Sequence, residues 1–137
     1  MAVLLDPSAI LAAADAADLN HAAAVAWFGR VDEPLLLGAL SLAELDVLLQ
    51  RELGAAASQA VLESVVAGAI RLVAPTPEDL RRAAELMGEV AEHKPRLADA
   101  LLVATAERMG IRRVAAFDRR PLAVFRPRHR KSLDFEP

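Results

Sequence analysis

The run Ala2-Val3-Leu4-Leu5, closed by Asp6-Pro7-Ser8, opens the chain and decides how the rest is read. An apolar run without polar alternation, ended by turn-forming residues, predicts a strand buried on both faces and the turn leaving it. Strands of that kind belong to parallel sheets covered by helices on each side. Outward from it, similar runs recur at 35–37 between Pro34 and Gly38, at 70–73 and at 114–117, with 122–125 as a candidate fifth strand. Helical stretches separate them. A short helix is expected over 10–14, and Asn20 is placed to cap a second one carrying Ala24, Trp27 and Phe28. Ser41-Leu42-Ala43-Glu44 has the spacing of a capping box and predicts a helix that runs to Leu53 and stops at Gly54. A further helix covers 56–67. Thr76 and Pro77 mark the start of another, continuing through Met87 and Val90 until Pro95 breaks it. The last long helix spans 97–109 and ends at Gly110. Strands alternating with pairs of helices define an α/β protein, a three-layer α/β/α sandwich around a short parallel sheet.

Composition narrows the field. A chain of 137 residues, 55% of them apolar, suits one domain (1–137) with a core of its own. The absence of cysteine excludes a disulfide scaffold, a thiolate zinc site and a cysteine nucleophile. No apolar run approaches the ~20 residues of a membrane span. The N-terminus lacks a basic segment and meets Asp6 too early for a secretory leader, so a cytoplasmic protein is expected. The net charge of −3 hides an asymmetry: residues 1–105 carry 7 Lys/Arg against 15 Asp/Glu, and 106–137 carry 9 against 4. Residues 126–137 therefore read as a basic C-terminal tail, either a solvated terminus or a lure for a polyanion.

In open α/β sheets the ligand lies beyond the carboxyl ends of the strands. Asp6 follows the first strand, Asp118 follows the fourth, and Glu44 falls in the first turn of the helix after the second. Asp99 stands in an otherwise apolar run, Leu97-Ala98-Asp99-Ala100-Leu101-Leu102-Val103-Ala104, where an uncompensated carboxylate is costly. Each acid also has a plainer reading. Asp6 and Asp118 suit Asx-turns, Glu44 would close the box with Ser41, and Asp99 would cap its own helix. Crowded together at one rim, they repel one another and call for a divalent cation. All-oxygen donors favour Mg²⁺, with Mn²⁺ as a substitute. Such a site suits hydrolysis of phosphodiesters. Arg96, Arg119 and Arg120 flank the acids in sequence and are candidates for gripping phosphate, or for pairing with the acids themselves. His21, His93 and His129 are scattered without ligand spacing, no GxxxxGK[ST] or GxGxxG occurs, and Ser8 and Ser41 lack a His–Asp pair.

On these residues the chain resembles a known family. Leu4-Leu5-Asp6-Pro7-Ser8, Ala43-Glu44-Leu45, Leu97-Ala98-Asp99-Ala100 running on to Ala104-Thr105-Ala106-Glu107-Arg108, and Val114-Ala115-Ala116-Phe117-Asp118-Arg119-Arg120 are similar to the PIN-domain signature, in the form found in VapC toxins of bacterial type II toxin–antitoxin pairs. The likeness runs from Val3 to about Pro127. It implies a PIN-like fold and a Mg²⁺- or Mn²⁺-dependent endoribonuclease acting on tRNA or ribosomal RNA, with Asp6, Glu44, Asp99 and Asp118 holding the metal and its water. It further implies a homodimer and a cognate VapB-type antitoxin. The chain departs from the pattern at Pro7, where the family carries Thr or Ser, at Ala116, where it carries Thr, and at Pro121, where Phe is frequent. Two lost hydroxyls define the alternative: a weakened PIN domain serving as an RNA- or protein-binding module. Glu92 is read as an exposed helix-end residue, and Trp27 and Phe28 as core.

Overall fold

The computed structural model describes residues 1–137. Val3, Leu4 and Leu5 are all buried and form β1 (Val3–Leu5), as their uninterrupted apolar character requires. The chain continues through α1 (Pro7–Ala14), α2 (His21–Arg30), β2 (Leu35–Gly38), α3 (Ala39–Leu53), α4 (Ala55–Val66), β3 (Arg71–Val73) and α5 (Pro77–Glu89). A single 3₁₀ turn (Ala91–His93) leads to α6 (Leu97–Met109), β4 (Arg113–Ala115), α7 (Arg120–Ala123) and β5 (Asp134–Glu136). The strands lie in the order β3-β2-β1-β4-β5, and every neighbouring pair is parallel.

Side chains on successive strand residues point to opposite faces, and the core divides accordingly. Leu4, Leu36, Val114 and Ala116 join a cluster with α5 and α6 residues such as Leu86 and Val103. Val3, Leu5, Leu37 and Ala115 join a second with Ile10, Trp27, Leu45, Leu49 and Val61 of α1 to α4. This is the expected three-layer sandwich. The α5 start also follows expectation: Thr76 and Asp79 complete a reciprocal capping box, with Pro77 beginning the helix.

Three expectations are corrected. Residues 122–125 are not a strand. Pro121 sits in the first turn of the short α7, and Leu122 and Phe125 drop into the core from it. The fifth strand is β5, hidden in a charged segment whose only apolar residues are Leu133 and Phe135. Nor are residues 126–137 a free basic tail. Leu133 is buried, Arg113 ties Glu136 in a bidentate pair (2.7 and 2.8 Å), and Trp27 donates to the same carboxylate (2.9 Å). Arg128 pairs with Glu85 at 2.8 Å, so part of the basic charge is spent on the body of the protein. Finally, α3 starts at Ala39 with Gly38 at its cap, and no Ser41–Glu44 capping box forms. Ser41 is buried and Glu44 lies past the first turn, its carboxylate free for other partners.

Candidate active site

The chain runs from β1 outward to β2 and β3, then returns to lay β4 on the other side of β1. The reversal makes the crevice beyond the ends of β1 and β4 a switch point, where ligands settle in open α/β sheets. Asp6 directly follows β1 and Asp118 lies just past β4. Glu44 reaches the same place from α3 and Asp99 from the first turn of α6. All four line one cavity of about 370 Å³, with Ser8, Asp18, Asn20 and Arg96. The sequence-derived site is thus brought together whole.

The acids sit in different surroundings. Asp6 and Asp99 are buried, Glu44 is half-buried and Asp118 is exposed. Asp6 does cap α1, accepting from the Ser8 N–H at 3.0 Å, and also accepts from the Ser8 hydroxyl. Asp99 does not cap α6, whose cap position is Arg96. Its carboxylate instead accepts from Arg96 Nε at 3.2 Å, and Arg96 Nη1 lies 3.8 Å from Glu44 Oε1. Burial pushes Asp6 up from 3.8 to about 6, against the Ser8 hydrogen bonds and with help from Asp99 and Glu44. Burial also raises Asp99, as does Asp118, while Arg96 opposes. Glu44 is raised for the same reasons, Arg96 again opposing.

Ser8 does more than hydrogen-bond Asp6. Its Oγ accepts from the backbone N–H groups of Phe117 at 3.0 Å and Asp118 at 3.2 Å. One hydroxyl therefore joins the end of β1 to the loop bearing Asp118. The hydroxyl absent at Pro7 and the one absent at Ala116 leave this link intact.

These donors fit a divalent cation. Asp6, Glu44, Asp99 and Asp118 line the cavity beside a single, half-exposed guanidinium, that of Arg96. No three acidic or histidine side chains converge on one ion position. Mg²⁺ tolerates this, since it keeps several waters and takes only one or two carboxylates.

Of the flanking arginines, Arg96 faces the acids and Arg120 is exposed beside Asp99. Arg119 is committed elsewhere: it donates to the carbonyls of Ala116 (2.8 Å) and Pro137 (2.7 Å) and lies over the Phe135 ring. Glu92 is exposed and outside the cavity. Sequence reasoning missed Asp18, which lies in the α1–α2 loop and accepts from the Asn20 N–H at 2.7 Å. Nothing in its Ala-rich neighbourhood marks it, and only the fold carries that loop to the cavity.

The doubly covered parallel sheet is a fold that solved structures share with this chain. Residues 3–126 match the PIN domain model, and the chain belongs to that family. It is similar to Ribonuclease VapC26 of Mycobacterium tuberculosis (strain ATCC 25618 / H37Rv), 31% identical over 125 residues, which cover 91% of this chain and 93% of that protein. The likeness places it with the VapC type. Among solved structures it resembles VapC20 of Mycobacterium tuberculosis, a sarcin–ricin loop cleaving toxin, with a TM-score of 0.82 at 24% identity over 89% of this chain and 94% of that one. VapBC2 from Rickettsia felis, solved bound to a DNA fragment from its promoter, matches with a TM-score of 0.71 at 12% identity over 100% of both chains.

Proposed function

We propose that the chain is a Mg²⁺- or Mn²⁺-dependent endoribonuclease, the toxin of a VapBC-type pair, hydrolysing phosphodiester bonds in structured RNA such as tRNA or ribosomal RNA. The observation that carries the proposal is the convergence of Asp6, Glu44, Asp99 and Asp118, from four separate elements, on one cavity with a single cation to offset them. A VapB-type antitoxin is the proposed partner, in keeping with the toxin–antitoxin complexes of the same fold, and a homodimer the proposed assembly.

Asp6 and Asp99, buried and rigidly placed, would hold the cation, with Asp118 completing its shell directly or through water. When bound, the cation offsets charge on the phosphoryl group and acidifies water. Glu44 is half-buried and holds its proton more tightly than an ordinary glutamate, which suits it to orient the attacking water and take its proton. Ser8 keeps Asp6 and the Asp118 loop in register. That link favours an active enzyme over the binding-module reading, because it supplies the positioning that Pro7 and Ala116 do not.

The test is incubation of the purified chain with total cellular RNA in Mg²⁺, Mn²⁺ or EDTA, with Asp99→Asn in parallel. Discrete fragments that vanish with EDTA and with Asp99→Asn are expected. No cleavage by folded, antitoxin-free protein would transfer the assignment to the binding module. Fragments persisting in Asp99→Asn would place the activity elsewhere.

A further inference from the structure

Beside the acidic cavity lies a second one of opposite character. It measures about 320 Å³ and is lined by His93, Lys94, Pro95, Arg96, Asp99, Arg120, Pro121 and Val124. The two cavities share Arg96 and Asp99, so one wall separates a negative compartment from a positive one. Lys94 and Arg120 are exposed, and neither is drawn into an ion pair. Most arginines of the chain are otherwise engaged: Arg82 with Glu107, Arg108 with Asp79, Arg113 with Glu136 and Arg128 with Glu85. Exposed, unpaired cations also occur elsewhere, at Arg30, Arg71, Arg126 and Lys131, but Lys94 and Arg120 line one cavity together with Arg96, beside the acids.

The backbone adds an independent observation. Lys94 is the only non-glycine residue with positive φ (50°). A side chain bearing a Cβ is disfavoured there, and glycine would be free of the strain. That left-handed turn ends the 3₁₀ segment and sets Lys94 in the wall of the groove. The wall also includes the start of α6, whose cap residue Arg96 makes no side-chain capping bond and whose first turn carries Asp99.

We propose that this cationic groove binds the RNA phosphate next to the scissile one, with Lys94 and Arg120 as its charge contacts and Arg96 shared between the compartments. A strand crossing the shared wall places one phosphate against the acids and their cation, and its neighbour against Lys94 and Arg120. This inference rests on the endoribonuclease reading and extends it to the substrate's backbone.

The experiment is fluorescence anisotropy of a labelled single-stranded RNA of about 20 nucleotides and mixed sequence, with Ca²⁺ in place of Mg²⁺, across a salt series. Lys94→Gln/Arg120→Gln is compared with the wild type and with Arg30→Gln/Arg71→Gln, which removes two exposed arginines elsewhere. Each phosphate contact on a single strand contributes about 0.7 to the slope of log affinity against log salt. The groove variant should bind roughly tenfold more weakly, with its slope reduced by about 1.4, while the control pair leaves both unchanged. The Mn²⁺-induced rise in thermal midpoint should be the same in all three proteins, which separates the groove from the acidic site. An unaltered slope in the groove variant overturns the proposal and leaves the nuclease reading standing. So does a lost Mn²⁺ response in that variant, because the effect would then run through the acids. Binding of an acidic peptide such as polyglutamate that disappears in the variant, with RNA binding intact, reassigns the groove to a protein segment. Wild-type protein that binds neither this RNA nor total tRNA and ribosomal RNA under any salt condition removes the nuclease reading itself.

Discussion

At Asp6 two demands on one carboxylate meet. It caps α1 and lines the acidic cavity, and burial lifts it from 3.8 to about 6. Between those values the folded protein holds a proton that the unfolded chain gives up, so metal-free stability falls as pH rises from about 4 to about 6. The ceiling on that loss is about 3 kcal/mol. Asp6→Asn should therefore raise the thermal midpoint in EDTA at pH 7.5, by about 1–3 kcal/mol in stability, while RNA cleavage is abolished. A lowered midpoint would show that the ionised carboxylate is stabilising. Ser8→Ala leaves the amides of Phe117 and Asp118 without their acceptor. It should cost about 1–3 kcal/mol and lower cleavage by roughly 10–100-fold, read by denaturant unfolding and by initial rates. Asp6, Asp99 and Asp118 were legible because each stands just past a strand or where an apolar run makes a carboxylate expensive, and Glu44 because it falls near the start of the helix that follows β2. Asp18 carries neither mark, and the Ser8 bridge spans more than a hundred positions of sequence, a distance no local pattern encodes.

At the level of elements, α6 was legible to the residue, since Pro95 and Gly110 bracket it and Gly110 takes the left-handed conformation (φ 66°) that ends a helix. What escaped were elements defined by partners rather than by pattern. Residues 122–125 look like a strand in isolation, yet Pro121 and a place under α6 make a helical turn cheaper. Conversely β5 has a weak strand signal and exists because β4 offers it a free edge and Arg113 offers Glu136 a counter-charge. That strand also steadies the site, since the Glu136 carbonyl accepts from the Ala116 N–H two residues before Asp118. Arg113→Met should strand Glu136 without its cation and lower stability, the partial exposure of the pair limiting the loss, as denaturant unfolding would report. Hydrogen exchange should locate the loosening in β5 and in residues 116–118.

For the whole molecule, the proposed metal site would link stability to cation binding at the carboxyl end of the sheet. Mn²⁺ at 100 times its Kd should stabilise the wild type by about 2.7 kcal/mol and leave the midpoint of Asp99→Asn unmoved, as differential scanning fluorimetry would report. Acid acts at the opposite pole. Burial raises Asp79, but Arg108 and the Thr76 N–H outweigh it and hold the carboxyl below its usual range. Stability from Asp79 is thus full above that range and lost as pH falls through it, and Asp79→Asn should flatten the acid limb of the stability curve. No helix is long and apolar enough to cross a membrane. The sheet order has one more consequence, in time rather than in space. Leu4 is registered against Val114, so β1 waits for β4 before the centre of the sheet can close. A ribosome making this chain therefore carries an unassembled crevice through most of translation, and Asp6, Glu44 and Asp99 lack Asp118 until β4 emerges. The four-acid crevice is therefore completed late and all at once, in the last part of synthesis.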